Sequence, residues 1–403
     1  MRDADRASAS EFDADNMTPR ELRADVPALG DAAYFNFGAH GPSPKYVVEA
    51  ASAFVADHEY GSATTDPYTR AFETYETVRE RIAAFVGAAP DEIALTESTT
   101  DGINRIADGI DWESGDVVVR TDLEHPAGVL PWKRLEREGV EVRVVETENG
   151  RIDREAYADA VTGARLVCFS AITWTHGTRL PVTDLVEIAT DAGAFTLVDA
   201  VQSPGQTEMN VADWGADAVA AAGHKWVLGP WGAGFLYVDR DAAAELSPRT
   251  VGYRSVESPT AAEIEYKRGA KRFEVGSTTA AAHVGLVEAL DTIDAVGLDV
   301  IQDRIESLTD RLKAGIPADR LLSPHEYESG LVTIDVDDPE ATVERLAADD
   351  IVVRSLPHPD RSASRSMPCP PKPRLTGSSR QSARSGEFGD GYRPSQKHSL
   401  GAV

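Results

Sequence analysis

Short apolar runs alternate with stretches of helical spacing along most of this chain. Apolar positions recur at helical intervals over residues 45–58 and 75–86. The runs 92–96, 117–121, 140–145, 166–172, 195–199, 218–222 and 234–238 then read as strands. Between them, 102–109, 130–138, 154–161 and 181–192 read as helices. Alternation of this kind predicts an α/β fold with a mainly parallel sheet covered by helices on both faces. The last two strands are joined by the glycine-rich stretch from Gly229 to Gly234, which makes room for an antiparallel member.

After about Arg254 the pattern changes. Two helical stretches, 280–295 and 298–314, precede strand-like 330–336 and 351–354, which flank a helical pattern over 339–348. The expected organisation is a loose arm over 1–30 with a short helix near 19–24. A large domain over 31–253 and a small α+β domain over 254–360 follow. Residues 361–403 break from all of this. They are rich in Ser, Pro, Arg and Gly, and carry eight Lys/Arg against two Asp/Glu. They are expected to form a disordered basic tail. Back-translated with GC-rich codons, the string PDRSASRSMPCPPKPRLT reads in another frame as LRVAVHALPTEAEAD, which is acidic and half apolar. A frameshift near Asp360 is the expected origin of the tail.

The chain has 403 residues and a formal net charge of −27. That acidity argues against nucleic acid and anionic membranes as partners. It suits solubility at high salt, as in halophilic proteins. Of the two cysteines, Cys168 lies inside an apolar run and is expected to be an inert core residue, while Cys369 falls in the tail. Their spacing suggests neither a metal site nor a disulfide framework. No run reaches the ~18 apolar residues of a membrane span. The polar N-terminus does not resemble a secretory signal, so the expected location is cytoplasmic.

Two residues carry the chemistry. Lys225 follows the apolar run 217–222 and is crowded by Trp226, Trp231 and a glycine-rich turn. Desolvation disfavours an ammonium and frees the amine as a nucleophile towards an aldehyde. Asp199 closes the apolar run 195–199, where a strand's C-terminal end opens onto a crevice. Taken singly, a solvated loop lysine and a capping aspartate are the ordinary readings. As a pair, they are the Schiff-base lysine and pyridinium partner that pyridoxal 5'-phosphate (PLP) requires.

Several motifs in order extend this reading: Tyr34 to Pro42, Thr96 to Asn104, Glu124-His125-Pro126-Ala127, Asp199 with Gln202, Gly223-His224-Lys225, and Arg272 to Ser277. Over residues 30–360 the chain resembles the class V aminotransferases, which include cysteine desulfurases and isopenicillin-epimerase-like enzymes. The resemblance implies PLP fold type I and a small amino-acid substrate. It implies cofactor contacts from Thr99, Thr100 and His224 at the phosphate, His125 over the ring, Asp199 at the ring nitrogen and Gln202 at the phenolic oxygen. Ser277 would reach the phosphate in a partner subunit, which implies a homodimer. Ala39, His40, Trp174 and Arg354 are the substrate-side candidates.

There are departures from the family pattern. Ala222 and Trp174 stand where desulfurases carry a hydroxyl residue and an asparagine. Residues 353–359 hold no cysteine at the desulfurase nucleophile position, and an enzyme persulfide needs a thiolate. The family's carboxylate-binding arginine would lie just past Asp360, in the altered frame. The expected function is therefore a PLP enzyme acting on a small amino acid, with transamination ranked first. Selenocysteine-lyase or epimerase-like activity is the alternative. An inactive PLP-fold protein with an altered C-terminus is the other.

Overall fold

The seven apolar runs between residues 93 and 238 enter one sheet. In this computed structural model, which describes residues 17–64 and 66–357 and the backbone of 398–402, a short strand β1 (Ala33–Tyr34) comes first. The sheet strands follow as β2 (Ile93–Thr96), β3 (Val117–Thr121), β4 (Glu141–Val145), β5 (Leu166–Ser170), β6 (Phe195–Asp199), β7 (Ala218–Ala222) and β8 (Gly234–Val238). Their spatial order is β2-β8-β7-β6-β5-β3-β4. β8 is antiparallel to both its neighbours, and the other pairings are parallel. The glycine-rich turn after β7 accounts for that reversal, because a parallel connection needs a longer crossover.

Helices cover both faces, so every residue of β5, β7 and β8 is buried. Alternate residues of one strand serve opposite cores. Val198 packs with Ile82, Phe169 and Leu290 on one side, and Leu197 packs with Ile106, Trp132 and Phe273 on the other. Each such side chain contributes ~1.5–3 kcal/mol relative to exposure.

Two helices differ from the sequence reading. The helix expected from residue 75 begins at Pro67, capped by the Asp66 carboxylate, which accepts from Tyr68 N–H at 2.8 Å and Thr69 N–H at 3.2 Å. Its first turns are hard to read because Tyr68 stays 57% exposed and breaks the apolar periodicity. Helix Ala281–Val296, grouped above with the small domain, buries Leu286, Leu290 and Ile293 in the main core against helix Lys45–Gly61. By packing it belongs with the large domain, past the expected boundary at 254.

The C-terminal strands are shorter. They are β9 (Val332–Ile334), β10 (Ile351–Val352), β11 (Arg354–Pro357) and β12 (His398–Ala402). The run expected over 351–354 divides at Val353. β10 pairs parallel with β1, while β11 joins a sheet of order β11-β12-β9. Of the tail expected to lack regular structure, only 398–402 lie among the described residues, and there the backbone is a strand. Residues 1–16 and Cys369 lie outside the described residues. Among the described residues no helix is long and apolar enough to cross a membrane.

Candidate active site

The C-terminal ends of the parallel strands share one edge of the sheet, where a crevice forms. A cleft of about 460 Å³ lies there. Thr99 and Thr100 enter it after β2, His125 after β3, Ser170 from the end of β5, Asp199 from β6, and His224 and Lys225 after β7. Leu331, Thr333, Arg354 and Leu356 of the small sheet region close the other side.

Lys225 is set by the turn between β7 and β8. Gly229 N–H donates to the Gly223 carbonyl at 2.9 Å, and Leu228 N–H to the Lys225 carbonyl at 3.1 Å. Leu228 adopts φ 64°, a left-handed conformation disfavoured for a branched residue. The segment before helix Lys45–Gly61 clamps this turn. Gly41 N–H donates to the His224 carbonyl at 2.9 Å, and a Cβ on Gly41 would lie 1.9 Å from the Lys225 carbonyl oxygen. Only glycine fits there. Burial pulls the Lys225 pKa down to about 8, against the opposing pull of the Asp199 charge, and Arg354 lowers it further.

Asp199 is 4% exposed and accepts from Val201 N–H at Oδ1, 3.0 Å. Burial raises its pKa, while that hydrogen bond and Lys225 oppose the rise. No described residue donates to Oδ2, which leaves one carboxylate oxygen for a ligand.

At the other end of the cleft, helix Thr99–Gly109 begins behind Ser98, whose hydroxyl accepts from Asp101 N–H at 3.2 Å. Gly102 lets this helix lie close on the sheet, since a Cβ there would lie 3.2 Å from the Ala220 Cβ. Thr99 is buried, and its Oγ1 has no hydrogen-bond partner among the described residues. An orphaned hydroxyl at a helix N-terminus is a place for an anion.

His125 caps the short helix Pro126–Gly128, and its Nδ1 accepts from Ala127 N–H at 3.2 Å, which puts the ring proton on Nε2. Burial, then the charges of Lys225 and Arg354, push its pKa down to about 4, so the ring is neutral. Trp174 stands edge-on to it at 5.0 Å, and the Arg354 guanidinium lies 5.5 Å from the Trp174 ring centre. Arg354 is the one arginine among the described cleft-lining residues, and no described carboxylate pairs with it. Trp174 Nε1 and Asn36 Oδ1 are also buried with no partner among the described residues.

Three expected residues are placed differently from the rest. Gln202 lines the cleft, but its Oε1 accepts from Trp226 Nε1 at 2.8 Å and its Nε2 donates to the Gly38 carbonyl at 3.0 Å. One N–H remains for a ligand. Ala39 lines the cleft, whereas His40 sits behind it. His40 Nδ1 accepts from Trp231 Nε1 at 2.7 Å, and since an indole only donates, the 3.0 Å approach of the same nitrogen to the His224 carbonyl is not a second hydrogen bond. Ser277 is absent from the cleft wall; it is exposed and bonded to the Tyr253 hydroxyl at 2.5 Å.

Sequence reasoning missed Asn36, Ser170 and the small-sheet residues Leu331, Thr333 and Leu356, while Trp231, expected to crowd Lys225, does line the cleft. Ser170 carried a signal, since it is the one polar residue inside the apolar run 166–172, and β5 ends on it at the same edge as Asp199. The others depend on how the small sheet closes over the large one. Among the described residues no cluster of His, Cys, Asp and Glu is placed to hold a metal.

The profile described as class-V aminotransferase matches residues 33–365. A probable cysteine desulfurase of Methanothermobacter thermautotrophicus is 35% identical over 304 residues, covering 74% of this chain and 76% of the relative. The apo cysteine desulfurase of Thermococcus onnurineus NA1 superposes with TM-score 0.77 at 29% identity, over 84% of this chain and 88% of that one. The cystine C–S lyase C-DES, bound to its product cysteine persulfide, superposes with TM-score 0.77 at 27% identity, over 82% and 92% of the two chains. A C-DES mutant carries glycine covalently linked to PLP.

The residues of the present cleft fit that cofactor. Its lysine is desolvated, one oxygen of its buried aspartate is free, and an unpaired hydroxyl waits at a helix N-terminus. The chain has PLP fold type I and belongs to the PLP-dependent class-V aminotransferase family.

Proposed function

We propose that this chain is a C–S lyase that eliminates sulfur from a small cysteine-like amino acid, with no enzyme thiol taking part. The observation that carries the reading is the absence of any thiol among the described cleft-lining residues, beside an amine, a buried carboxylate and an unpaired guanidinium. Cys168, the one described cysteine, is 0% exposed within β5, and burial holds its pKa well up, so it is a thiol and not a thiolate. The relatives named above act on sulfur amino acids by name. That moves the reading from transamination, which the sequence ranked first, to a lyase.

PLP bound here supplies the electron sink that makes the substrate's α-proton removable. Lys225 would hold the cofactor, and its amine, whose pKa lies near working pH, would take the substrate's α-proton. Asp199 Oδ2 would hold the ring nitrogen in its protonated form. Thr99 and Thr100 at the helix N-terminus, with His224, would receive the phosphate, and the neutral His125 would contact the ring. Arg354 receives the substrate carboxylate through a charge-assisted, bidentate contact. The Cβ–S bond breaks with its electron pair on sulfur, which leaves as a thiolate and is protonated. The 2-aminoacrylate released adds water to give pyruvate and ammonium. Ser277 is proposed to serve the cleft of a second copy.

Products decide the matter. With cysteine, cystine and an S-alkylcysteine, the PLP-loaded protein is expected to release pyruvate in step with thiol, sulfide or persulfide. Alanine as the carbon product would identify a desulfurase. A keto acid formed only when an amino acceptor is added would identify a transaminase. Either result overturns the proposal.

A further inference from the structure

Behind Asp199 lies a second buried carboxyl group that the proposed chemistry leaves unused. Glu124 is 6% exposed, and both its oxygens are held by hydroxyls: Thr121 Oγ1 donates to Oε1 at 2.5 Å and Ser170 Oγ to Oε2 at 2.6 Å. Thr121 is fixed from the other side, because its oxygen accepts from Leu123 N–H at 3.1 Å. Ser170 is the cleft-lining member of the set, and it stands opposite Asp199 in the β5–β6 register. We propose that Glu124 is a positioning residue for the cofactor end of the cleft, acting through the Ser170 hydroxyl on Asp199.

When Glu124 is ionised, both hydroxyls must donate to it, and Asp199 faces a second negative charge. When Glu124 is protonated, its own O–H takes one of these bonds, and the Ser170 hydroxyl is released to donate into the cleft. The charge state of Glu124 therefore sets how much negative charge the cofactor's cationic groups meet. The groups facing it are Arg120 from β3, Cys168 from β5 and Asp199 from β6. Arg120 alone is a cation, and its Nε has no partner among the described residues. Burial first, then Asp199, raises Glu124 to about 7 against the pull of the two hydroxyls, so the switch falls at working pH.

The inference rests on the PLP reading but not on the reaction. Its test uses the full chain, wild type and the variants Glu124→Gln and Ser170→Ala, and no turnover. The first readout is melting of the PLP-free protein. An unfolded Glu124 ionises at about 4.5 and the folded one at about 7, so it lowers folded-state stability progressively as pH rises between those values. The Tm advantage of Glu124→Gln over wild type should therefore grow from pH 5 to 7 and then level. The second is the pH midpoint of the visible absorbance of the PLP-loaded protein. Removing a negative charge lowers the pKa of nearby cations, so Glu124→Gln is expected to shift that midpoint down by at least half a unit, about threefold in ionisation constant. Ser170→Ala, which leaves Glu124 harder to ionise, should shift it the same way. A Tm difference that does not vary with pH, or midpoints unchanged or raised in the variants, overturns the inference. Should Glu124→Gln not fold, the Ser170→Ala midpoint decides alone. Failure of the lyase reading would leave both readouts intact.

Discussion

One wall of the cleft is the rim of the seven-stranded sheet, and the other is the small C-terminal sheet. In the first, β5, β7 and β8 are buried at every position, with cores on both faces. In the second, β9 buries Val332 and Thr333 and β11 buries only Leu356. Helix Pro339–Ala347, which packs on β11 and β12, buries no residue at all. The walls hold different parts of the chemistry. Lys225, Asp199, His125 and Thr99 stand on the first. Arg354, Thr333 and Leu356 stand on the second. Cofactor binding should therefore be robust, while recognition of the substrate depends on an element with little apolar support.

The comparison can be broken at the firm wall first. Lys225→Ala should cut turnover by at least about 10³-fold, the scale of losing a positioned acid–base group, and lose more by losing the cofactor linkage. Borohydride treatment of the PLP-loaded wild type should label Lys225, read by peptide mass spectrometry. A label on another lysine would remove the assignment.

At the thin wall, Arg354→Ala should act on recognition alone. A hydrogen bond to a charged group is worth ~1.5–3 kcal/mol, which is about 10- to 150-fold in KM. PLP affinity should stay unchanged. If kcat falls and KM does not, Arg354 does not receive the substrate carboxylate.

The Lys225 amine sharpens the picture through pH. Its folded pKa is lowered from 10.5 to about 8, so the free base is depleted as pH falls below about 8. The rate of α-proton removal should then drop by about tenfold per unit. Deuterium exchange at Cα between pH 6 and 9 measures this. A flat profile would show that another group takes the proton.

Matched truncations test the two walls directly. Leu197 on β6 and Leu356 on β11 are 0% and 3% exposed. Leucine-to-alanine changes cost ~2–5 kcal/mol in packed cores, with the upper end where surroundings cannot collapse. Leu197→Ala should fall near the upper end and Leu356→Ala near the lower, read by urea unfolding. Equal costs would refute the contrast.

The smallest expected effect concerns the C-terminus. Replacing the residues after Asp360 with a segment beginning LRVAVHALPTEAEAD should add apolar surface beside β9 and β11 and raise Tm by a few degrees, as ~1 kcal/mol does in a protein of this size. A lower KM should accompany it. Sequencing the source gene across the codons for Pro357 to Pro370 tests the proposed frameshift by itself.

The sequence alone determined much of this molecule. Strands such as 195–199 and 218–222 were legible to the residue, because burial on both faces leaves unbroken apolar runs between polar caps. Helix 154–161 was legible from the helical spacing of its apolar positions. The places of Lys225 and Asp199 in the cleft were legible because Asp199 ends such a run and Lys225 closely follows one, where parallel strands open onto a crevice. Tertiary structure decided the rest. The start of helix Pro67–Val86 was obscured by exposed aromatics, and helix Ala281–Val296 joined the main core through contacts with a helix more than two hundred residues earlier. His40 was displaced behind the cleft by Trp231, and Gln202 was engaged by Trp226 and Gly38. Glu124 became a buried partner of Ser170 only because β3 and β5 lie side by side. Local patterning fixes which face of an element is apolar. Which polar atoms end up sharing one desolvated space depends on contacts between residues far apart in the chain, and no local pattern encodes them.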